Sequence, residues 1–264
     1  MSAGISLDQS YPNLFTPEDQ VFVRALEDDP VSIPPRHALT LRGEPLSHAA
    51  YLTSGFAGRF RADWTGRRQL LSLHIPGDFI DLPSFMLFRL DHDIDSFNAI
   101  TCARLHHDRI AQMRVTMPHL YDCFWRISLM DSAIQRYWAF RVGRLVGRAR
   151  IANFFAEIFA RMFARKLCGT DGFTLPLTQA DIGEACGMTP VHANRMLGEL
   201  REEGTCTLEN GRLVIHDLRL LASVGQFEWD YLYLPPQAEA ELADLLGAGA
   251  TRQRRRAPAP APRT

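Results

Sequence analysis

Residues 177–204, LTQADIGEACGMTPVHANRMLGELREEG, constrain this chain more than any other stretch. Thr178 followed three residues later by Asp181 has the form of a capping box. The hydroxyl takes a free backbone N–H, while the carboxylate reaches back and suits the positive end of a helix. A helix therefore starts here, with Ile182, Ala185 and Cys186 as its buried side. Gly187 can take the positive φ that a sharp swing of the chain requires. Thr189 then caps a second helix, and Pro190 fills its first position, where a missing N–H costs nothing. At about 100° per residue, Ala193, Met196, Leu197 and Leu200 fall on one side of that helix. Val191, Asn194, Arg195 and Gly198 fall on the other, flanked by Pro190 and His192.

Two short helices joined by a tight Gly-containing turn make a helix-turn-helix, whose second helix enters the major groove of DNA. Arg pairs with guanine, Asn with adenine, and Val meets a thymine methyl, so Val191, Asn194 and Arg195 are the expected base contacts. Any packed helix pair has a buried and an exposed face, and the downstream sequence narrows the choice. Residues 205–208 and 212–215 predict two short strands around Glu209-Asn210-Gly211, an Asn-Gly hairpin signal. Helix, turn, helix and wing together favour reading of double-stranded DNA over a plain three-helix core.

The chain has 264 residues, and about 130 residues per unit predicts two domains. With 46% hydrophobic and 22% charged residues it reads as an ordinary soluble globular protein. It lacks a run of the roughly 18 apolar residues that a membrane span requires, and its start does not look like a secretory signal, so a cytoplasmic address is expected. Net charge of −1 excludes a histone-like polycation but not a local basic face. The five cysteines, 102, 123, 168, 186 and 206, are widely spaced and suit reduced thiols; no metal cluster is implied.

Residues 1–20 are polar and predict a flexible N-terminus. From Ala49, Tyr51 and Thr53, then Phe56, Gly58 and Phe60, alternate along the chain with Arg59 and Arg61 on the opposite face, which is strand patterning. Asp63–Arg67 carries a turn signal, and Leu71, Leu73 and Ile75 resume the alternation up to Pro76-Gly77-Asp78. An antiparallel sandwich or jelly roll over 21–115 follows. After Pro118 the period lengthens. Leu120, Phe124, Ile127, Ile134 and Trp138 mark the seam of a long helix over 116–146, which either packs on its own sandwich or, as the heptad-like spacing favours, pairs with a second copy of itself. Residues 147–235 hold the winged helix-turn-helix, and 236–264 predict a mostly disordered tail rich in Ala, Pro and Arg.

In three stretches the chain resembles the bacterial Crp/Fnr family, the class of the cyclic-AMP receptor protein and the fumarate/nitrate regulator. YLTSGFAGRF (51–60) with GRRQLLSLHIPGDFI (66–80) looks like the family's β-roll; AFRVGRLVGRARIANFF (139–155) looks like its passage from dimer helix to DNA-binding domain; residues 177–204 with GRLVIHD (211–217) look like its winged helix-turn-helix. The resemblance implies an α+β fold: an N-terminal antiparallel β-roll of the cyclic-nucleotide-binding kind, a long dimer helix and the winged domain. It also implies a homodimeric transcriptional regulator, without catalysis, on a near-palindromic site, with RNA polymerase as a further partner. The family's base-reading positions fall on Val191, Asn194 and Arg195. Phosphate contacts are expected from Thr178, Gln179, Thr189 and His192, at helix starts where backbone N–H groups point outward.

The sensor departs from the family. Where cyclic-nucleotide binders carry a Glu for the ribose and an Arg-Ser pair for the phosphate, GDFIDLPSFM (77–86) has Leu82 and DHDIDSFNAIT (91–101) has Asp93 and Ile94. A buried anion needs a charge-assisted partner, so no cyclic-nucleotide binding is expected, and no cofactor is predicted. No cysteine precedes Cys102, which argues against an N-terminal iron-sulfur cluster. Other readings are an effector-free regulator, haem sensing through His74, His106 or His107, a redox switch at Cys186, and a jelly-roll metal enzyme using His74, His92, His106 and His107.

Overall fold

A computed structural model describes residues 4–25 and 30–247. In chain order, α1 (Leu7–Ser10) and α2 (Pro17–Ala25) lead into five strands: β1 (Pro30–Ile33), β2 (Ala38–Thr40), β3 (His48–Ser54), β4 (Ala57–Ala62) and β5 (Arg68–His74). The short α3 (Ser84–Leu87) precedes β6 (Asp93–Ser96) and β7 (Ile100–His106). Three helices follow, α4 (His107–Thr116), α5 (Pro118–Arg144) and α6 (Gly147–Ala164). The C-terminal part runs β8 (Gly172–Thr174), α7 (Gln179–Cys186), α8 (Pro190–Glu202), β9 (Cys206–Glu209), β10 (Arg212–Ile215), α9 (Leu218–Val224) and α10 (Pro236–Leu246).

The first seven strands form two antiparallel sheets, ordered β1-β7-β3 and β2-β6-β4-β5. Between them lie Leu52, Ala57, Ile80, Ile94, Ile100 and Cys102, which is why alternate residues on each strand are apolar. This is the expected β-roll, and with the C-terminal helices it makes an α+β fold. Arg59, on the face of β4 opposite Phe60, is buried as well, because α5 covers that face. Its guanidinium donates twice to the Ile80 carbonyl and, at 2.6 Å, to Asp131 on α5.

A third sheet, β8-β10-β9, is the wing with one added strand. Its hairpin turns at Asn210 and Gly211, both at positive φ (51° and 73°), as the Asn-Gly signal requires.

Residues 4–20 are tied to the β-roll, where a flexible N-terminus was expected. Within 4–20, Leu7 and Phe15 are buried in a cluster with Phe79, Phe124 and Ile127, and Tyr51 donates from its hydroxyl to the Ile5 carbonyl. Apolar residues inside a polar stretch were enough to pin it. The expected disordered tail is in part ordered: Pro236–Leu246 is helix α10, anchored by Leu242 in the core, while 248–264 lie outside the described residues.

The long helix is present as α5, but its seam points inward. Leu120, Phe124 and Ile127 are buried against the β-roll and N-terminal segment, Trp138 against α6, and Ile134 packs on the same core. These five residues are used up within one chain and cannot also pair two copies. A second stripe, rotated round the helix, is left open: Trp125, Leu129, Ser132, Arg136, Ala139 and Gly143, spaced alternately four and three apart. Trp125 is 56% and Leu129 50% exposed, and Phe140 adjoins them at 47%.

One hydrophobic cluster runs from Phe60 and Leu70 of the β-roll through Phe154, Phe155 and Phe159 of α6 to Ile182 of α7 and Leu200 of α8. Charged groups cross this core in pairs. Arg141 of α5, fully buried, donates to Asn153 at 2.8 Å and to the Glu157 carboxylate of α6, which also accepts from Trp138 and Tyr231. These shared bonds, which leave only Nη1 of the Arg141 guanidinium without an acceptor, fix how α5 and α6 lie against each other.

Candidate nucleic-acid interface

The helix pair is built as its sequence dictates. The Thr178 hydroxyl accepts from the Asp181 N–H at 3.2 Å, and the Asp181 carboxylate accepts from the Thr178 N–H at 2.6 Å, closing the capping box. Gly187 ends α7 with φ 60° and ψ 46°, and the Met188 N–H returns to the Gly183 carbonyl at 2.9 Å. Gly183 itself has no room for a side chain, since a Cβ there would lie 2.8 Å from the Met188 carbonyl oxygen. Thr189 caps α8 by accepting from the His192 N–H at 3.3 Å.

Ala193, Met196 and Leu200 seat α8 in the core. On the opposite flank Val191 is 82% exposed, and Asn194 and Arg195 are exposed beside it. The Arg195 guanidinium donates to Nδ1 of His192 at 3.1 Å, which leaves most of its donors facing solvent. The three expected base contacts therefore share one uncovered face.

The expected phosphate contacts divide. Gln179 and Thr189 are exposed at helix starts, and the hydroxyl proton of Thr189 is not used by the cap it makes. His192 is half-buried. Thr178 donates its one hydroxyl proton to Asp181 at 2.7 Å, so it has none for a phosphate while the box is closed.

Sequence reasoning missed the residues that hold this unit in place, because all act over long range. Arg36, in the left-handed region at φ 58°, reaches from the β-roll to grip Asp181 with two hydrogen bonds of 2.9 and 2.8 Å. Burial raises the Asp181 carboxyl, but Arg36 and Thr178 outweigh it and hold it below the usual carboxylate range. Gln69 of β5 donates to the Glu184 carbonyl, and Arg150 of α6 donates to the Cys186 carbonyl at 2.6 Å. An arginine run such as that at 144–150 is visible in sequence; its carbonyl targets are not.

Cys186 is fully buried, and burial pushes its thiol up to about 12, which opposes the thiolate that a redox switch requires. His74 is buried and held well below its ordinary value, first by burial and then by Arg59. His107 meets the Ser84 hydroxyl at 3.0 Å. Among the described residues no group of three or more His, Cys, Asp or Glu could hold a metal ion. At the departed sensor positions Leu82 and Ile94 are buried, and Asp93 accepts from the Arg42 N–H at 2.8 Å.

A β-roll followed by a long helix and an exposed, winged helix-turn-helix defines a DNA-binding regulator. Residues 149–224 match the Crp-like helix-turn-helix domain. Over 188 residues the chain is 28% identical to the transcriptional activator protein FnrL of Cereibacter sphaeroides, covering 69% of this chain and 75% of that protein. It is 22% identical over 183 residues to an anaerobic regulatory protein of Pasteurella multocida, covering 69% and 67%. In fold it is similar to FixK2 from Bradyrhizobium japonicum, with a TM-score of 0.67, 18% identity and coverage of 74% and 96%. Residues 149–224 thus carry a Crp-like helix-turn-helix domain, and over about two thirds of its length the chain is similar to Crp/Fnr-type transcriptional regulators. No helix among the described residues is long and apolar enough to cross a membrane.

Proposed function

We propose that the chain works in the cytoplasm as a homodimer that reads a near-palindromic operator, touches RNA polymerase there, and catalyses no reaction. The observation that carries this reading is the uncovered flank of α8, with Val191, Asn194 and Arg195 on one face and Ala193, Met196 and Leu200 locked into the core behind them. Pairing falls to the open stripe of α5 from Trp125 to Gly143, whose heptad spacing suits a two-fold helix pair. Symmetry then sets two α8 helices on successive major grooves, about 34 Å apart. Gln179, Thr189 and His192 fix the register through phosphates, and Arg195 and Asn194 read bases. Footprinting on genomic fragments tests this: the expected result is a protected tract with two-fold symmetry whose half-sites cannot be respaced without loss of affinity. Absence of any protected tract would overturn it.

A further inference from the structure

The reading domain is acidic. Residues 147–247 hold nine Lys or Arg and 14 Asp or Glu, a net charge of −5 with His neutral. Glu202 at the end of α8 and Glu209 beside the turn of the wing are exposed. Duplex DNA carries one negative charge per roughly 1.7 Å of its axis, and affinity for it comes largely from cations that displace its counterions. A domain of this sign is repelled as a whole, so it gains affinity from cations supplied outside it.

The sequence holds such cations in one place. Residues 248–264, outside the described residues, contain five arginines and no Asp or Glu, with four of the five within 252–256. This charge is equal in size and opposite in sign to that of the domain. Its point of departure is set by the fold. At Gly247, the end of α10, Arg219 of α9 donates to the Leu245 carbonyl at 2.9 Å. Two residues before Arg219, the Asp217 N–H meets the Thr205 carbonyl at 3.2 Å, and the Thr205 hydroxyl donates to the Leu200 carbonyl of α8 at 2.8 Å. The chain therefore leaves Gly247 beside the junction of α8 and the wing. Arg254, Arg255 and Arg256 stand seven to nine residues further on. Their reach is at most about 25–32 Å, against about 20 Å for the whole of α8.

We infer that Arg252, Arg254, Arg255 and Arg256 are a phosphate-binding arm, which takes the backbone of double-stranded DNA flanking each half-site on the wing side. This rests on the proposed reading of DNA and adds a second, separate contact to it. Guanidinium pairs with phosphate oxygens through two parallel bonds. The Ala and Pro residues that follow offer nothing to a base edge, so the arm adds affinity without sequence preference. An anionic lipid surface is disfavoured, because no aromatic or large aliphatic residue accompanies these arginines in 248–264.

Fluorescence anisotropy of the full chain tests the inference on a duplex of mixed sequence and on a fragment protected in footprinting, over about 50–200 mM salt. The test variant carries Arg252→Gln, Arg254→Gln, Arg255→Gln and Arg256→Gln together, and its companion carries Lys at the same four positions. The Gln variant should lose at least about tenfold in affinity for both duplexes, and the slope of log K against log salt should become shallower by about 0.9 for each arginine engaged. The Lys variant should keep most of both. Preference among operator variants should be the same with and without the arm. If the Gln variant keeps the affinity and salt slope of the unaltered chain, or if the unaltered chain binds phosphatidylserine vesicles in preference to the duplex, the inference falls. Absence of a protected tract with the unaltered chain speaks against the operator reading alone, since the duplex of mixed sequence reports on the arm.

Discussion

Arg195 has an open flank on α8 and a single protein partner, His192, which a guanine edge would replace in the proposed reading of DNA. Arg195→Ala should therefore relax selectivity at one base pair by about 1–3 kcal/mol, read by competition gel shift across operator variants. Gln179→Ala, at a helix start, should weaken all sequences alike by about 0.5–1.5 kcal/mol. Helical spacing put Arg195 on an open face and the capping-box start put Gln179 at a helix end, and both side chains are exposed. Asp81 was not legible in this way, since nothing in GDFIDLPSFM says that its carboxyl is buried and that burial pushes it up to about 7. The folded chain holds this proton to higher pH than the unfolded chain, whose carboxyl titrates at 3.8. Its contribution to stability is full below that value and is lost as pH rises through 7. Asp81→Asn keeps an oxygen for the Ala50 N–H and cannot ionise. At pH 8 it should raise Tm by about 2–4 °C, the shift that roughly 1 kcal/mol brings in a chain of this size, and flatten the Tm profile between the two pKa values.

α5 shows how far periodicity carries and where it stops. Its sequence holds two apolar stripes, one through Leu120, Phe124, Ile127 and Trp138 and one through Trp125, Leu129 and Phe140, and both have helical spacing. Periodicity establishes a helix with faces to cover; which face the same chain covers depends on β4, α6 and residues 4–20, all remote in sequence. For the same reason alternation separates Arg59 from the face of Phe60 but does not show that α5 lies over it. Short-range devices fared better, because capping boxes, a Thr-Pro start and an Asn-Gly turn are closed within a few residues. The α5–α6 joint is the opposite case. Removing the fully buried guanidinium by Arg141→Ala leaves Glu157 without its main counter-charge and should cost about 3–5 kcal/mol in urea unfolding.

At the scale of the molecule, the open stripe and the shared core divide the work in the proposed dimer: one would join copies, while the other joins domains. Leu129→Glu sets like charges against each other across a symmetric contact and leaves the buried face of α5 untouched. Sedimentation should show a folded monomer with an unchanged far-UV spectrum and operator affinity reduced by at least about a hundredfold, as expected when two linked half-site contacts become one. The 27 residues of α5 make a rod about 40 Å long. Because the β-roll and the reading head are welded to that rod by a continuous core, opening the scissor angle between two such rods by about 5° would swing its far end by about 3.5 Å. In the proposed dimer a small twist at the crossing would therefore carry both heads with it.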